Sequence, residues 1–477
     1  MNVEALLRTD RDHLIHPVSS WRDHEAAGAR ILRSGKGAWV TDIHGRELLD
    51  GFSGLWCVNV GYGCQSVVDA AAEQMARLPY ATGYFGFASE AAIELAGRLA
   101  ARTPGDLNRV FFSQGGSDAV DSALRFIRFY QHARGTPQKR HVIGLSRGYH
   151  GSTYTGAGLT ALAAFHRDAD VPLAWQHHIP SPYPYRHAGD GQAATIIAES
   201  VAALRRKVDE LGADQVAAFF CEPVQGSGGV IVPPRGWLAA MRRTCAELDI
   251  LFVADEVITG FGRTGPLFAC EAEQVVPDMM TVAKGLTSGY APMGAVFMSD
   301  AIYATIRDNT PAGIPVGHGM TYSAHPVSAA IGLAVLDLYE GGMLDNGLRA
   351  GAHLATRLAA LSDHPWSAMS GSAACWPGSS WCPTRRPSAS RNRTSRSRPG
   401  CPRPGTRPGF SSAPSVTTSS ASPRRCAARS RKSTCSATAS IASSTACFRS
   451  SDRIRLPPRL RSGAYRRFGG GAASAAR

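Results

Sequence analysis

The chain has 477 residues, 44% of them hydrophobic, which is enough for two or three domains with a large core. The N-terminus lacks a basic segment followed by an apolar run, and no apolar run is long enough to cross a bilayer. We therefore expect a cytoplasmic protein without membrane contact. Eleven cysteines without paired spacing indicate free thiols, and the sequence has no metal-ligand spacing, so we predict no metal site.

The formal net charge of +14 is distributed unevenly along the chain. Residues 366–477 contain 21 Lys and Arg but a single acidic residue, Asp452. Residues 1–365 contain 30 basic and 36 acidic residues, a balance typical of a soluble enzyme that does not bind nucleic acid. The two parts of the chain are therefore interpreted separately.

Three patterns in the N-terminal part predict secondary structure. Residues 37–49 alternate apolar and polar side chains around a His-Gly pair, which predicts a β-hairpin, and residues 67–78 predict a helix. Residues 109–113 predict a strand that leads through glycines into a helix beginning near Gly116 and Ser117. Backbone N–H groups at such a helix start lie beside the positive end of its dipole, so this turn is a candidate phosphate site.

Further along the chain, continuous apolar runs predict four buried strands and one helix. The histidine- and proline-rich residues 176–185 predict a loop. The predicted strands are 141–145, 216–221, 250–254 and 279–283, and the predicted helix is 327–339. The first strand leads to Tyr149-His150-Gly151, and Glu222 follows the second.

The last two predicted strands, 250–254 and 279–283, each end in a side chain that can carry chemistry. Asp255 follows the first strand and Lys284 follows the second. Parallel strands end at one edge of a sheet, where open α/β sheets bind their ligands, so we expect the carboxylate and the amine to converge. Pyridoxal phosphate chemistry requires such a pair: a lysine that forms a Schiff base with the cofactor aldehyde, and a carboxylate that keeps the pyridine nitrogen protonated.

One competing motif lies between these two residues. Residues 260–265 read G-x-G-x-x-G, the fingerprint of a nicotinamide dinucleotide site. That fingerprint directly follows its strand and opens a full crossover helix, whereas here five residues intervene and residues 266–274 provide only a short crossover. A nicotinamide enzyme is therefore the less favoured hypothesis.

The segments around Asp255 and Lys284 resemble those of the class III aminotransferases, in particular the branch that acts on omega-amino acids or amines with pyruvate. Lys284 lies in T-V-A-K-G, and Asp255 begins D-E-V with G-F-G-R-T-G after it. The resemblance covers about residues 10–365 and implies an α/β fold of fold type I, with a large, mainly parallel sheet domain and a small α+β domain built from both chain ends. The implied ranges are 1–60 and 321–365 for the small domain and 61–320 for the large cofactor-binding domain.

The resemblance also implies the residues of the active site and a homodimer with shared sites. Lys284 and Asp255 are the catalytic candidates, and Thr321 would bind the phosphate of the other subunit's cofactor across the dimer interface. An aromatic loop that includes Tyr84 would likewise reach the other active site. The implied cofactor contacts are Gly116, Ser117, Tyr149, Glu222, Asp255, Val257, Lys284 and Thr321, and the implied substrate contacts are Trp56, Phe85 and Tyr149.

The implied activity is the transfer of an amino group from β-alanine, another omega-amino acid or an amine such as putrescine to pyruvate, a 2-oxo acid. Lys284 would move a proton between the donor carbon and the cofactor carbon as general base and acid. Two alternatives remain: an aminomutase or racemase of the same fold, which keeps the amine within one substrate, and a product that is inactive as written. A requirement for pyruvate would distinguish a transaminase from a mutase or racemase.

Residues 366–477 lack the periodicity of folded elements. Leu, Ile, Val and Phe together make up 8 of these 112 residues, too few to bury a core, so we predict a disordered or misfolded segment. Read literally, its arginines suggest nucleic-acid binding. Arginine outnumbers lysine 20 to 1, however, which is typical of GC-rich DNA translated in a wrong frame.

The genetic code allows a change of frame to be tested. The codons permitted by residues 366–371, read two bases later, encode V-G-D-V-R, which begins a glycine turn and an apolar strand. Residues 410–426 give a second strand-like segment in the same way. We therefore predict a frameshift just after Pro365. The arginine that the resemblance expects to pair with Glu222 and the substrate carboxylate would lie in the lost frame, near residue 412.

Overall fold

The computed structural model describes residues 2–360, which form ten β-strands and thirteen α-helices. The strands are β1 (Leu32–Lys36), β2 (Trp39–Asp42), β3 (Glu47–Leu49), β4 (Arg109–Ser113), β5 (His141–Leu145), β6 (Gln176–Ile179), β7 (Val216–Cys221), β8 (Leu251–Asp255), β9 (Met279–Val282) and β10 (Gly294–Met298). The helices are α1 (Val3–His13), α2 (Trp21–Ala27), α3 (Ser53–Trp56), α4 (Gln65–Arg77), α5 (Glu90–Ala100), α6 (Gly116–Ala133), α7 (Tyr154–Leu159), α8 (Ala163–His166), α9 (Ala193–Leu211), α10 (Trp237–Glu247), α11 (Asp300–Asp308), α12 (Pro326–Leu338) and α13 (Leu344–Ala359).

Seven strands form one sheet in the order β4-β10-β9-β8-β7-β5-β6. The five strands from β9 to β6 in this order run parallel, and β10 pairs antiparallel with both β4 and β9. Every residue of β7 and β8 is buried, as their continuous apolar runs predict for strands covered on both faces. The predicted α/β fold with a mainly parallel sheet is confirmed.

The side chains of β8 alternate between two apolar clusters, one on each face of the sheet. Val253 belongs to a cluster with residues of α6 and α11, and Phe252 belongs to a cluster with residues of α9 and α10. Both side chains are fully buried. Because helices occupy both faces, the carboxyl ends of the strands are the edge at which a ligand can reach the sheet.

The predicted hairpin of residues 37–49 is confirmed as β2 and β3, which pair antiparallel. The structure adds β1 as a third strand, paired antiparallel with β2. Gly45 lies in the turn between β2 and β3 with φ of 82°, a backbone conformation that glycine adopts without strain.

One sequence prediction about the large sheet is wrong. Residues 176–185 were expected to form a loop, but Gln176–Ile179 is strand β6, which pairs parallel with β5 at the end of the sheet. An edge strand has one neighbour and is partly exposed, so it tolerates the polar pair His177 and His178 that concealed it in the sequence.

The segment that matches the dinucleotide fingerprint has a different geometry from a dinucleotide site. Residues 260–265 form a turn, and the next regular element is a five-residue 3-10 helix, Ala269–Glu273. A dinucleotide site needs a longer helix whose N-terminus faces the pyrophosphate. This segment therefore lacks the element that a nicotinamide enzyme would require.

The division into residues 1–60, 61–320 and 321–365 stays a prediction. The tail of residues 366–477, with its predicted disorder and frameshift, lies outside the described residues. One helical stretch, Pro326–Ala359, is long and apolar enough to cross a membrane by length and composition alone. Half of its most apolar window is buried inside the protein, as in the core helix of a globular fold.

Candidate active site

The two catalytic candidates lie at the ends of neighbouring strands. Asp255 is the last residue of β8, Lys284 follows β9 by two residues, and the two strands pair in parallel with Asp255 opposite Thr281. Both side chains line one cavity of about 600 Å³ at the carboxyl edge of the sheet. The predicted site residues that line this cavity are Trp56, Gly116, Ser117, Tyr149, Glu222, Asp255, Val257 and Lys284.

The Asp255 carboxylate is 2% exposed and is held by two donors. His150 Nδ1 lies 2.7 Å from Asp255 Oδ2, and the Val257 N–H donates to Asp255 Oδ1 at 3.1 Å. Burial alone would lower the pKa of His150, but the hydrogen bond to Asp255 and its charge overcome burial, so this pKa is raised. The imidazolium form of His150 is thus favoured beside the carboxylate, and the pair fixes the position of Asp255.

The Lys284 amine lies in an environment that favours its neutral form. Burial lowers its pKa, although the charges of Asp255, Cys57 and Glu222 act in the opposite direction. Its amine has no hydrogen bond or ion pair within residues 2–360. The Lys284 backbone has φ of 38°, a strained conformation for a residue with a side chain, of the kind found at functional sites. A neutral amine without a partner is the form that attacks a carbonyl carbon.

The turn between β4 and α6 forms the other end of the cavity. Helix α6 has 18 residues and begins at Gly116, so its first backbone N–H groups have no partner within the helix. A Cβ at Gly116 would lie 2.8 Å from Val257 Cγ1, too close for a side chain. Ser117 Oγ accepts a hydrogen bond from the Ser152 N–H at 3.2 Å. The close contact with Val257 places an anion-binding helix start beside the Asp255 segment.

Glu222 and Tyr149 are joined by a hydrogen bond on the wall of the cavity. Glu222 Oε1 accepts from the Tyr149 N–H at 2.9 Å, and Oε2 accepts from the Gly226 N–H at 3.0 Å. Burial raises the pKa of Glu222 to about 7. The Tyr149 ring is half-buried and lies edge-to-face with Phe165 at 5.3 Å between ring centroids. Both rings line the cavity, so Tyr149 is a candidate for stacking on a planar ligand.

The remaining predicted substrate and cofactor contacts are not all in this cavity. Trp56 lines it at the end of α3, with its ring 4.6 Å from that of Phe52. Phe85 is 92% exposed and Thr321 is exposed, and neither lines the cavity formed by residues 2–360. The Tyr80 hydroxyl donates to the Thr321 carbonyl at 3.0 Å. The contacts predicted for Phe85 and Thr321 across a dimer interface stay predictions.

Sequence analysis missed several residues of the site. His150 was visible only as the neighbour of Tyr149, since its partner Asp255 lies 105 residues further along the chain. Cys57 also lines the cavity, and burial raises the pKa of its thiol although Lys284 and Arg263 act to lower it. Val18 reaches the cavity from the N-terminal segment, and no motif in the sequence indicates this contact.

A half-buried lysine and a buried carboxylate at neighbouring strand ends, beside a glycine-containing helix start, are the arrangement of a pyridoxal-phosphate-dependent enzyme of fold type I. The model of the family Aminotransferase class-III matches residues 22–370. The chain belongs to this family, as its motifs predict, and is an aminotransferase.

Relatives of known activity and structure agree with this membership. The chain is 42% identical over 357 residues to the putrescine–pyruvate aminotransferase of Pseudomonas aeruginosa, which covers 74% of this chain and 77% of the relative. An (S)-enantioselective omega-transaminase from Thermomicrobium roseum is 37% identical, with a TM-score of 0.74 over 77% of this chain and 81% of that one. The omega-transaminase of Pseudomonas jessenii, solved in complex with PMP, is 34% identical, with a TM-score of 0.74 over 76% and 80% of the two chains.

The raised pKa of Glu222 predicts a pH-dependent stability. The ordinary pKa of a glutamate is 4.5, and that of Glu222 in the folded state is about 7. Between these two pH values the folded state therefore binds more protons than the unfolded state. Stabilisation by this group is therefore complete at low pH and is lost as the pH rises through 7. We expect the free energy of unfolding of the wild type to fall by roughly 3 kcal/mol relative to Glu222→Gln across this range.

Urea denaturation followed by tryptophan fluorescence, at several pH values in that range, measures this difference. Glu94→Gln, which changes an exposed carboxylate on α5, is the control and should follow the wild type. If the difference in free energy of unfolding between the wild type and Glu222→Gln does not change with pH, the raised pKa of Glu222 is contradicted.

Proposed function

We propose that this chain holds pyridoxal phosphate in the cavity between β8, β9 and α6 and transfers an amino group from an omega-amino acid or amine to pyruvate. The observation that carries the proposal is the convergence of Lys284, Asp255 and the start of α6 on one cavity. The donor set fits the cofactor. It offers free helix N–H groups for a phosphate, a buried carboxylate for a pyridine nitrogen and, for an aldehyde, an amine whose pKa is lowered by burial.

When bound, the cofactor supplies an electrophilic carbon and a ring that accepts an electron pair. Gly116 and Ser117 would bind its phosphate through the first N–H groups of α6 and the Ser117 hydroxyl. Tyr149 would stack on its ring, and Val257, whose side chain lies beside Gly116, would line the same site. Asp255 would accept a hydrogen bond from the protonated pyridine nitrogen, and His150 holds Asp255 in place as a positioning residue.

Lys284 has two functions in the proposed reaction. Its amine would hold the cofactor through the aldehyde, and the same side chain would serve as the acid–base group that moves a proton. Burial lowers its pKa, so Lys284 can accept a proton from the donor carbon and deliver it to the neighbouring cofactor carbon. The Asp255 carboxylate, which remains buried beside the ring, stabilises the positive charge on the ring nitrogen that makes this carbon acidic.

The donor and acceptor are proposed from the activities of relatives. The Pseudomonas aeruginosa relative acts on putrescine and pyruvate, so a terminal amine donor and a 2-oxo acid acceptor are the substrates proposed here. β-Alanine is a second donor to test. Trp56 lines the substrate side of the cavity, while Phe85 and Thr321 are proposed to act on the other active site of a cytoplasmic homodimer.

Replacement of Lys284 by Ala should abolish covalent attachment of the cofactor. Borohydride reduction followed by intact-protein mass measurement detects attachment, and the pyridoxyl group should appear on the wild type and be absent from Lys284→Ala. The matched control is Lys207→Ala, which removes a lysine on α9 that pairs with Glu210 at 2.6 Å, far along the chain from this site. A pyridoxyl group on Lys284→Ala would contradict the assignment of the lysine. Loss of the acid–base group should also slow any amine transfer by about 10²-fold or more.

Amine transfer should require both substrates. With putrescine or β-alanine as donor, we expect alanine to form from pyruvate, as measured by chromatography, and no turnover of the donor without pyruvate. Turnover of the donor without pyruvate would instead identify an aminomutase or racemase.

A chain whose codons after Pro365 are read in the alternative frame is the control for the tail. If the repaired chain forms alanine and the present chain only attaches the cofactor, the site is correct and the present chain is an inactive product. If neither chain forms alanine from any terminal amine, the proposed function is wrong.

A further inference from the structure

A second cluster of chemically reactive side chains lies in the N-terminal segment. Asp10 is on α1, His24 is on α2, and His16 is in the loop between these helices. One carboxylate oxygen and one nitrogen from each imidazole lie within 4.8 Å of one another. Sequence analysis predicted no metal site, because spacings of six and eight residues match no common ligand motif.

In both histidines the Nε2 atom points at the Asp10 carboxylate. His16 Nε2 lies 2.8 Å from Asp10 Oδ1, and His24 Nε2 lies 3.0 Å from Asp10 Oδ2. The two imidazole ring centroids are 4.3 Å apart with an angle of 44° between the ring planes. The three side chains thus surround a single point from three separate parts of the chain.

Two of these atoms are buried and lack a hydrogen bond. The side chains of Asp10 and His24 are only 10% and 15% exposed. Asp10 Oδ2 and His24 Nε2 lie 3.0 Å apart, yet within residues 2–360 each is buried without a hydrogen-bond partner. A buried acceptor and a buried ring nitrogen without hydrogen bonds are unfavourable. A cation between them would satisfy both.

The local backbone fixes the three ligands. The Leu14 N–H donates to the Asp10 carbonyl at 2.9 Å at the end of α1, and Ser19 Oγ donates to the His16 carbonyl at 2.9 Å. The Ser20 side chain accepts from the Asp23 N–H and caps the start of α2, which presents His24 one turn later. The cluster is therefore built by an N-terminal helix-loop-helix and does not depend on mobile surface side chains.

We propose that Asp10, His16 and His24 bind one divalent transition-metal cation, with Zn²⁺ as the best fit. Two imidazole nitrogens and one carboxylate oxygen are a donor set of three-ligand zinc sites. In a tetrahedral site with Zn–N near 2.0 Å, ligand atoms are about 3.3 Å apart. The two imidazole nitrogens contact different oxygens of Asp10, at 2.8 and 3.0 Å, and one carboxylate oxygen and both nitrogens already lie within 4.8 Å of one another, so rotations of these side chains can bring three ligand atoms to that spacing. The His16 side chain is 31% exposed, which leaves room for water as the fourth ligand.

The cation would act on the cofactor cavity through the loop that it clamps. Val18, two residues after His16, lines that cavity. Its φ is 48°, a strained value for a β-branched residue, which persists only where the surrounding structure holds it. A cation that joins α1 to α2 holds this loop at both ends and so fixes Val18 at the edge of the cavity.

Zinc binding to the full chain tests the proposal directly. Equilibrium dialysis against Zn²⁺ should find one site per chain that is weakened at least about 100-fold in Asp10→Asn and in His24→Asn, because each removes one of three ligands. His13→Asn changes an exposed histidine on the same helix and should bind Zn²⁺ as the wild type does. Equal binding by all four proteins, or no binding by the wild type, would overturn the proposal.

Cobalt(II) spectra identify the ligands independently of folding or activity. Co²⁺ at a site with two histidines and one aspartate should give visible d–d bands without the near-ultraviolet charge-transfer band of a thiolate ligand. The difference spectrum between wild type and His24→Asn should contain these d–d bands. A thiolate band that persists in His24→Asn, together with no d–d difference, would assign the bound metal to cysteines and refute the site. Circular dichroism and covalent attachment of the cofactor at Lys284 show that the variant remains folded.

Discussion

The burial of a carboxylate at the end of the central strand is the constraint on which the rest of the site depends. Asp255 is almost completely removed from water, and a buried charge is tolerated only when it is paired and hydrogen-bonded. His150 supplies that pairing from the loop after β5, and the Val257 N–H supplies a second hydrogen bond. The buried carboxylate therefore joins the segments that follow β5 and β8.

The same constraint determines what the neighbouring residues can be. The Val257 N–H donates to Asp255, and the Val257 side chain lies directly beside Gly116. The start of α6 can lie this close to Val257 only because Gly116 has no side chain. Lys284, across the β8–β9 pair, lies in a cavity dry enough to lower the pKa of its amine. Burial thus acts differently on the two catalytic candidates: the buried acid needs a partner, and the pKa of the lysine amine is lowered. Both effects suit the cavity to the acid–base chemistry proposed for it.

Much of this arrangement could be predicted from the sequence, because local patterns specify it. Strands β4, β5 and β7 have the predicted bounds, since each contains an apolar run that ends at a polar turn. Strand β6 was missed because an edge strand with two histidines has no such pattern. The motifs around Lys284 and Asp255 could likewise be predicted, since the chemistry of these two side chains depends on the residue types that follow the strands. The match to the family ends at residue 370, close to the predicted change of frame after Pro365.

Contacts between distant parts of the chain could not be predicted in this way. The pairing of His150 with Asp255 and the meeting of Asp10, His16 and His24 depend on how separate elements pack, which no single-sequence spacing records. The central claim is that Asp255 keeps the pyridine nitrogen of the cofactor protonated, and ¹⁵N NMR of enzyme loaded with ring-labelled pyridoxal phosphate tests it most directly. At a pH where the free cofactor has lost this proton, the account predicts a protonated nitrogen in the wild type and a neutral one in Asp255→Asn. The same nitrogen signal in both proteins would contradict the role assigned to Asp255.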